Sequence, residues 1–187
     1  MVSPALRKRL QEVTCGAAVP VDAQPGVVAE LATETPHSIR LAPQCSQTPI
    51  ADYNCFEFAL GLAGRREVHL ISEHLPSTFC GGEFVQHLVD TVLVPVASPS
   101  TGDLVLYRGH QQITHAGLLE ADSVISKWGK GHLWLHSLFE VPAQYGDVTS
   151  FHEAPVPTEM LAMFIEFARE REGRELVDHI LEFGTES

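Results

Sequence analysis

Two residues in this sequence have the types and setting for nucleophilic chemistry. Cys55 lies in "ADYNCFEFALGLAGR", after an Asp-Tyr-Asn turn signal and before an apolar run. His115 lies in "QQITHAGLL", at the start of a strand-like run. Asn54 is a good helix N-cap, and Phe56, Ala59, Leu60 and Ala63 follow at helical spacing. This predicts a helix whose first turn holds Cys55. A thiol there meets unpaired N–H groups and the positive end of the helix dipole, which favour the thiolate. The same N–H groups can hold an oxyanion forming beside the sulfur. A histidine on a strand facing that helix end can take the thiol proton and give it to a leaving group. A third polar group must then fix the imidazole tautomer. His136, on a neighbouring predicted strand, is the candidate for that task. Asn54 or Tyr53 could donate to the oxyanion, with Gln44 and Gln47 as candidates further upstream and Trp128 as a cleft wall.

A plainer reading competes with this one. Free cysteine is among the most buried residue types and often serves only as a small apolar core residue. Cys15, Cys45 and Cys80 are read that way. Asp103 in "TGDLV" reads as a turn cap rather than an acid catalyst. Lys127 reads as a structural cation, and Trp134, like Trp128, as core or cleft wall. A zinc site drawn from His110, His115, His132 and His136 with Cys55 or Cys80 is a further alternative. His132 and His136 share one strand face, but no CxxC pair accompanies them, and no cofactor or metal is expected.

The elements that must position these residues follow from pattern. "PALRKRLQEV" (4–13) predicts a short helix, and residues 15–50, rich in Pro, Ala, Thr and Gln, a long loop or extended arm. Residues 67–100 are mixed, with "GEFVQHLVDTVLVPV" a helix running into a strand. "SPSTGDLVLYRG" gives a turn and then a strand from Leu104 to Tyr107. "ITHAGLLEADSVISKWG" gives a hairpin with strands near 113–119 and 123–127. "GHLWLHSLFEVP" adds a strand near 132–136, and "DVTSFHEAP" an edge strand. "PTEMLAMFIEFAREREGRELVDHILEF" reads as an amphipathic helix or a helical pair broken at Gly173. The order, helix with Cys, then short antiparallel strands, then helix, is an α+β layout.

Composition narrows the function classes. At 187 residues the chain suits one domain, at most two, with a sizeable core. Twelve Lys and Arg against 24 Asp and Glu give a formal charge of −12, the wrong sign for a nucleic-acid footprint or an anionic membrane surface. No apolar run approaches the roughly 20 residues of a membrane helix. The first 20 residues lack the apolar core of a secretory signal, so a cytoplasmic location, or export without a cleavable signal, is expected.

The set "DYNCFEFALG", "GDLVLY" and "THAGLL" resembles the papain-like NlpC/P60 and CHAP superfamily. Those enzymes place a Cys at a helix start, follow it with "GDLV" leading into a strand, and open the next strand with the catalytic His. The Cys-before-His order matches them and not the permuted members, such as the lecithin:retinol acyltransferase group. A closer resemblance is to an uncharacterised bacterial group in that superfamily with "NC", "THA", "SKxG", a strand ending in His, and "YG". Here these are Asn54-Cys55, Thr114-His115-Ala116, Ser126 to Gly129, His136 and Tyr145-Gly146. The resemblance covers roughly residues 50–152. In typical members the third polar residue falls about a dozen positions after the His, which here is Ser126 to Trp128; His136 matches only the closer group.

The resemblance implies a papain-like α+β domain; with the C-terminal helix, which lies outside the resemblance, the domain is expected over 51–187, and a helix and extended arm over 1–50, also outside it, precede it. It implies a cysteine hydrolase acting on an amide, peptide or isopeptide bond through Cys55, His115 and His136. The same thioester could serve transglutaminase-like transfer. The expected partner is a peptide, protein or peptidoglycan-fragment substrate, with a bacterial effector as one setting. A catalytically silent module that holds a protein or peptide partner in the same cleft is the other class of reading.

Overall fold

The structure, a computed structural model, describes residues 2–16, 18–44 and 48–184. Among the described residues six strands form one antiparallel sheet: β1 (Arg40–Leu41), β2 (Leu104–Gly109), β3 (Gln112–Glu120), β4 (Ser123–Lys127), β5 (Leu133–His136) and β6 (Val148–His152). Their order across the sheet is β1-β5-β4-β3-β2-β6. The helices are α1 (Pro4–Thr14), α2 (Gln24–Glu34), α3 (Cys55–Ala59), α4 (Arg66–His74), α5 (Gly82–Thr91), α6 (Pro157–Glu172) and α7 (Arg174–Phe183). The fold is therefore α+β, as the element order predicts.

Alternation along β2 shows how the sheet divides the core. Leu104 and Leu106 point to one side and Val105 and Tyr107 to the other, and all four are buried because helices cover both faces. The first face packs on α3 to α7 through Phe56, Leu60, Ile71, Phe84, Leu88 and Phe164. The second packs on α1 and α2 through Leu6, Leu10, Val13, Val28 and Leu31. Leu6, Leu10 and Val13 recur at the three-to-four spacing that makes one helical stripe.

Several sequence expectations are corrected. Residues 15–50 are not simply a loop or extended arm: they contain α2, started by Pro25 in its first turn, and β1, which pairs with β5. Residues 67–74, read as mixed, lie in α4, whose Val68 and Ile71 reach the core while its other face is polar. After α5 no long strand follows; among the described residues only Pro95 bridges to His152. The helix that opens with Cys55 stops after Ala59, sooner than its apolar spacing suggests. Gly173, at φ 99°, does split the C-terminal segment into α6 and α7. No helix among the described residues is long and apolar enough to cross a membrane.

Candidate active site around Cys55

Asn54 fixes the start of α3. Its Oδ1 accepts from the N–H groups of Phe56 at 2.8 Å and Glu57 at 3.1 Å. Its Nδ2 donates to Glu57 Oε1 at 3.0 Å and to the Cys80 carbonyl at 2.9 Å. Cys55 is thus the first residue of the helix, where the sequence puts it. With both amide atoms engaged, Asn54 fixes the helix that opens with Cys55 and has no donor committed to an oxyanion.

The thiol sits where the sheet opens. The β3–β4 register begins at Gly117↔Ser126, so Ala116 lies beyond the end of that ladder. Its backbone N–H, with those of Cys55 and Phe56, favours the Cys55 thiolate. These three donors and the Lys127 charge pull the thiol towards ionisation. Burial outweighs them and pushes the thiol up to about 11. At neutral pH the resting group is the neutral thiol.

His115 lies on β3, fully buried, on the α1/α2 face of the sheet. Its ring stacks flat on Tyr145, with centroids 3.8 Å apart and 2° between planes, and has Tyr107 at 5.4 Å. Neither ring nitrogen has a hydrogen-bond partner. Burial, with the nearby His136 and Lys127, holds its pKa well below the usual range, so it is neutral.

Tyr145 belongs to a 3-10 turn, Ala143–Tyr145, and is clamped from several sides. Its hydroxyl accepts from the Gly129 N–H at 3.0 Å and lies 3.6 Å from the Cys15 sulfur. Arg7 of α1 donates to the carbonyls of Val141, at 3.1 Å, and Gly146. Gly146 has φ 87°, and a Cβ there would come 2.0 Å from the Arg108 carbonyl oxygen. Only glycine lets the chain turn away there with Tyr145 seated over His115.

His136 does not orient His115. It lies on β5, and β4 runs between β5 and β3, so the two histidines are not on adjacent strands. In the neutral ring, Nδ1–H donates to the Ser137 carbonyl at 2.9 Å and Nε2 accepts from Ser126 Oγ at 2.8 Å. The hydrogen-bonded triad expected from the sequence is therefore absent. His136 instead anchors a buried cluster in which Trp128 Nε1 donates to Ser126 Oγ at 3.0 Å. Trp128 is likewise core rather than cleft wall: it stacks on Trp134, at 5.3 Å between centroids. Tyr53 is buried, with its ring 5.3 Å from Lys127 Nζ. Gln47 lies outside the described residues, as does Cys45.

Sequence reading missed Glu57, named Lys127 as a structural cation and named Tyr145 only as part of a motif, without placing either beside the site. Burial of a lysine in "SKWG" is the one signal that could have drawn attention, and it is not visible without the fold. Burial raises the Glu57 carboxyl to about 7 and lowers the Lys127 ammonium to about 8. The described cysteines are free thiols, and no three His, Cys, Asp or Glu side chains among the described residues gather as a metal group.

Two clefts flank the site without containing its thiol. The larger, of about 630 Å³, is lined by Phe79, Gly81, Gly82, Gln111, Ile113 and Phe167, among others. The smaller, of about 400 Å³, reaches Glu57 beside Arg65, Arg66 and His69. Comparison with protein-family models, with curated proteins and with solved structures finds no match for this chain.

Proposed function

We propose that Cys55 is the nucleophile of a papain-like cysteine hydrolase or acyl transferase that acts on an amide, peptide or isopeptide bond. One observation carries the reading. Cys55 opens α3 beside the point where β3 outruns β4, the backbone N–H groups of Ala116, Cys55 and Phe56 favour its thiolate, and the residue beside Ala116 on β3 is a buried imidazole with both nitrogens unspent. An unpartnered buried polar group costs about 1–3 kcal/mol, so its presence calls for a reason. A base reserved for a proton in flight is such a reason.

In the reaction the Cys55 sulfur attacks the carbonyl carbon and its proton passes to His115. The carbonyl oxygen becomes an oxyanion held by the Cys55 N–H, the habitual donor at a helix start. The C–N bond then breaks, and His115 returns the proton to the leaving amine. Water, or an acceptor amine in the transfer version, attacks the thioester and restores the thiol. Because thiol and imidazole are both neutral at rest, His115 works as a general base during attack and not as half of a standing ion pair.

The test is incubation with activated acyl compounds, p-nitrophenyl esters and a peptidyl aminocoumarin, followed by intact mass and peptide mapping. An acyl adduct on Cys55, lost in Cys55→Ser and formed at least 100-fold more slowly in His115→Ala, is expected. No adduct on Cys55 under any of these conditions would remove the reading. The second reading, a silent module that holds a peptide or protein, is favoured by the thiol's high pKa and by the lack of a hydrogen bond from His115.

A further inference from the structure

The cleft of about 630 Å³ approaches the site along two walls. One wall is the start of α5. Asn54 Nδ2, donating to the Cys80 carbonyl, ties this wall to the helix of Cys55, and Gly81 and Gly82 follow Cys80 directly. The other wall is β3, where Ile113 stands two residues before His115. His110 and Gln111 make the two-residue turn of the β2–β3 hairpin, closed by Gly109↔Gln112. That closing pair is hydrogen-bonded, so the next pair, Arg108↔Ile113, is not, and the N–H and C=O of Ile113 point away from β2. β4 does not reach them, because its ladder with β3 begins at Gly117↔Ser126. The carbonyl oxygen points at α5: a Cβ on Gly82 would come 2.3 Å from it. Ile113 thus offers a sheet edge to the cleft.

The side chains around that edge are apolar or carry no spare charge. Phe79 is 53% exposed, and Phe167 shares the cleft with it. Glu83 and Arg171 are spent on each other at 2.5 Å, and Ser77 donates to Glu172. Gln86 uses both ends of its amide, on Arg108 and Asp90. The exposed Gln111 and Gln112 bring amides that can donate and accept. Gln111 has φ 68° and His110 φ 51°, in a turn where glycine or asparagine is the unstrained choice. A side chain therefore stands at the cleft where glycine would relieve the turn, while Gly82 stands where a side chain would meet the β3 backbone.

We propose that this cleft binds an extended, uncharged peptide segment, whose backbone pairs with Ile113 on the open edge of β3 and whose one large apolar side chain lies against Phe79 and Phe167. The sheet edge selects an extended backbone, as in strand addition. The paired charges and the exposed rings select a neutral, apolar side chain, because a charged one would lose hydration without gaining a partner. Use of the cleft to present a substrate to Cys55 rests on the nucleophile reading above; the binding itself does not.

The experiment is an amide ¹H–¹⁵N NMR titration of the full chain with blocked tripeptides, acetyl-Ala-Xaa-Ala-amide, in which Xaa is Phe, Asp or Lys. The Phe peptide at millimolar concentration is expected to shift the Gly81, Gly82 and Ile113 amides. The Asp and Lys peptides should bind roughly tenfold more weakly. A Phe peptide methylated on its backbone nitrogens should also lose roughly tenfold, because the Ile113 carbonyl is left without a donor. Phe79→Ala, a change at a half-exposed ring that leaves the core closed, should weaken the Phe peptide by about tenfold. Gln111→Gly should weaken it too while the melting temperature holds or rises, the opposite of what a purely structural Gln111 would give. No shift at these amides, or equal binding of the Phe, Asp and Lys peptides, would overturn the proposal, and so would a methylated peptide that binds as well as its parent. Binding of the Phe peptide by a protein that forms no acyl-Cys55 would uphold the cleft and remove the hydrolase reading. An acyl-enzyme without binding in the cleft would do the reverse.

Discussion

The two faces of the sheet carry different halves of the candidate chemistry. The face under α3 to α7 holds the thiol, with Glu57 beside it on α3 and Cys80 close by. The face under α1 and α2 holds His115 and His136 among Tyr107, Tyr145, Trp128 and Trp134. A sheet would ordinarily keep two such sets apart. The β3–β4 ladder stops at Gly117↔Ser126, which leaves Ala116 unpaired on that side beside α3, and among the described residues no hydrogen bond joins the His115 ring to the Cys55 sulfur. On the α3 face burial keeps the thiol neutral against the pull of nearby N–H groups; the α1/α2 face keeps its imidazoles neutral. A layer that looks like an appendage in sequence, α1 and α2, is what buries the proposed base.

The largest effect expected from that contrast is on stability. Trp134→Ala empties the centre of the α1/α2 face and should cost about 3–5 kcal/mol by urea unfolding. Phe84→Ala should cost a similar amount on the other face. A Trp134→Ala protein as stable as wild type would mean that α1 and α2 do not dock as described.

The faces should also answer to pH with opposite sign. His136 falls from 6.5 to about 4 on folding, so its contribution is complete above pH 6.5 and is lost as pH drops towards 4. That is of order 3 kcal/mol. His115, also lowered, adds to the loss in the same direction. Glu57 rises from 4.5 to about 7, so its contribution is complete below pH 4.5 and is lost as pH climbs through 7. Unfolding free energies measured from pH 7.5 to 4 should therefore decline, less steeply in His136→Asn and more steeply in Glu57→Gln. Identical slopes in all three proteins would break the contrast.

A smaller loss, about 2 kcal/mol, is expected for Arg7→Ala, which removes the donors that tie α1 to the Val141 and Gly146 carbonyls. Amide hydrogen exchange at Gly129 and Tyr145 should speed up in this variant, because both depend on that turn staying seated. Unchanged exchange would show that the turn holds itself. Asn54→Ala should cost about 1 kcal/mol as a lost N-cap. Its discriminating readout is the pH midpoint of Cys55 ionisation by ¹³C-cysteine NMR, which should rise as the first turn of α3 frays and its N–H groups leave the sulfur. A midpoint that stays put while stability falls would show that the cap does not act on the sulfur.

Some of this was legible in the sequence because it depends on neighbours along the chain. Asn54 before an apolar run marks the start of α3, and Asp103 in its Ser-Thr-Gly turn accepts from the Ser100 N–H and hydroxyl at that corner. The hairpin of β3 and β4 shows in its alternation and in "EAD". Helix α2 was hidden because Pro25, Gly26 and the β-branched Val27, Val28 and Thr33 weaken the local signal, and packing of Val28 and Leu31 makes up the difference. Helix α4 was hidden because only Val68, Leu70 and Ile71 of its nine residues are buried.

The role first given to His136 shows the boundary between the two kinds of information. Sequence by itself determined that Cys55 opens a helix, that His115 sits in a strand after a "GDLV" strand, and that the chain alternates into an antiparallel sheet. Those features are set by propensity, capping and periodicity over a few residues. Only the tertiary structure decided that β4 lies between the two histidines, that Ser126 and Ser137 take both nitrogens of His136, and that Lys127 turns inward towards α3. Strand order and burial arise from contacts between segments far apart in the chain. The free energy of a buried charge depends on what surrounds it in three dimensions, which residue type and spacing do not encode.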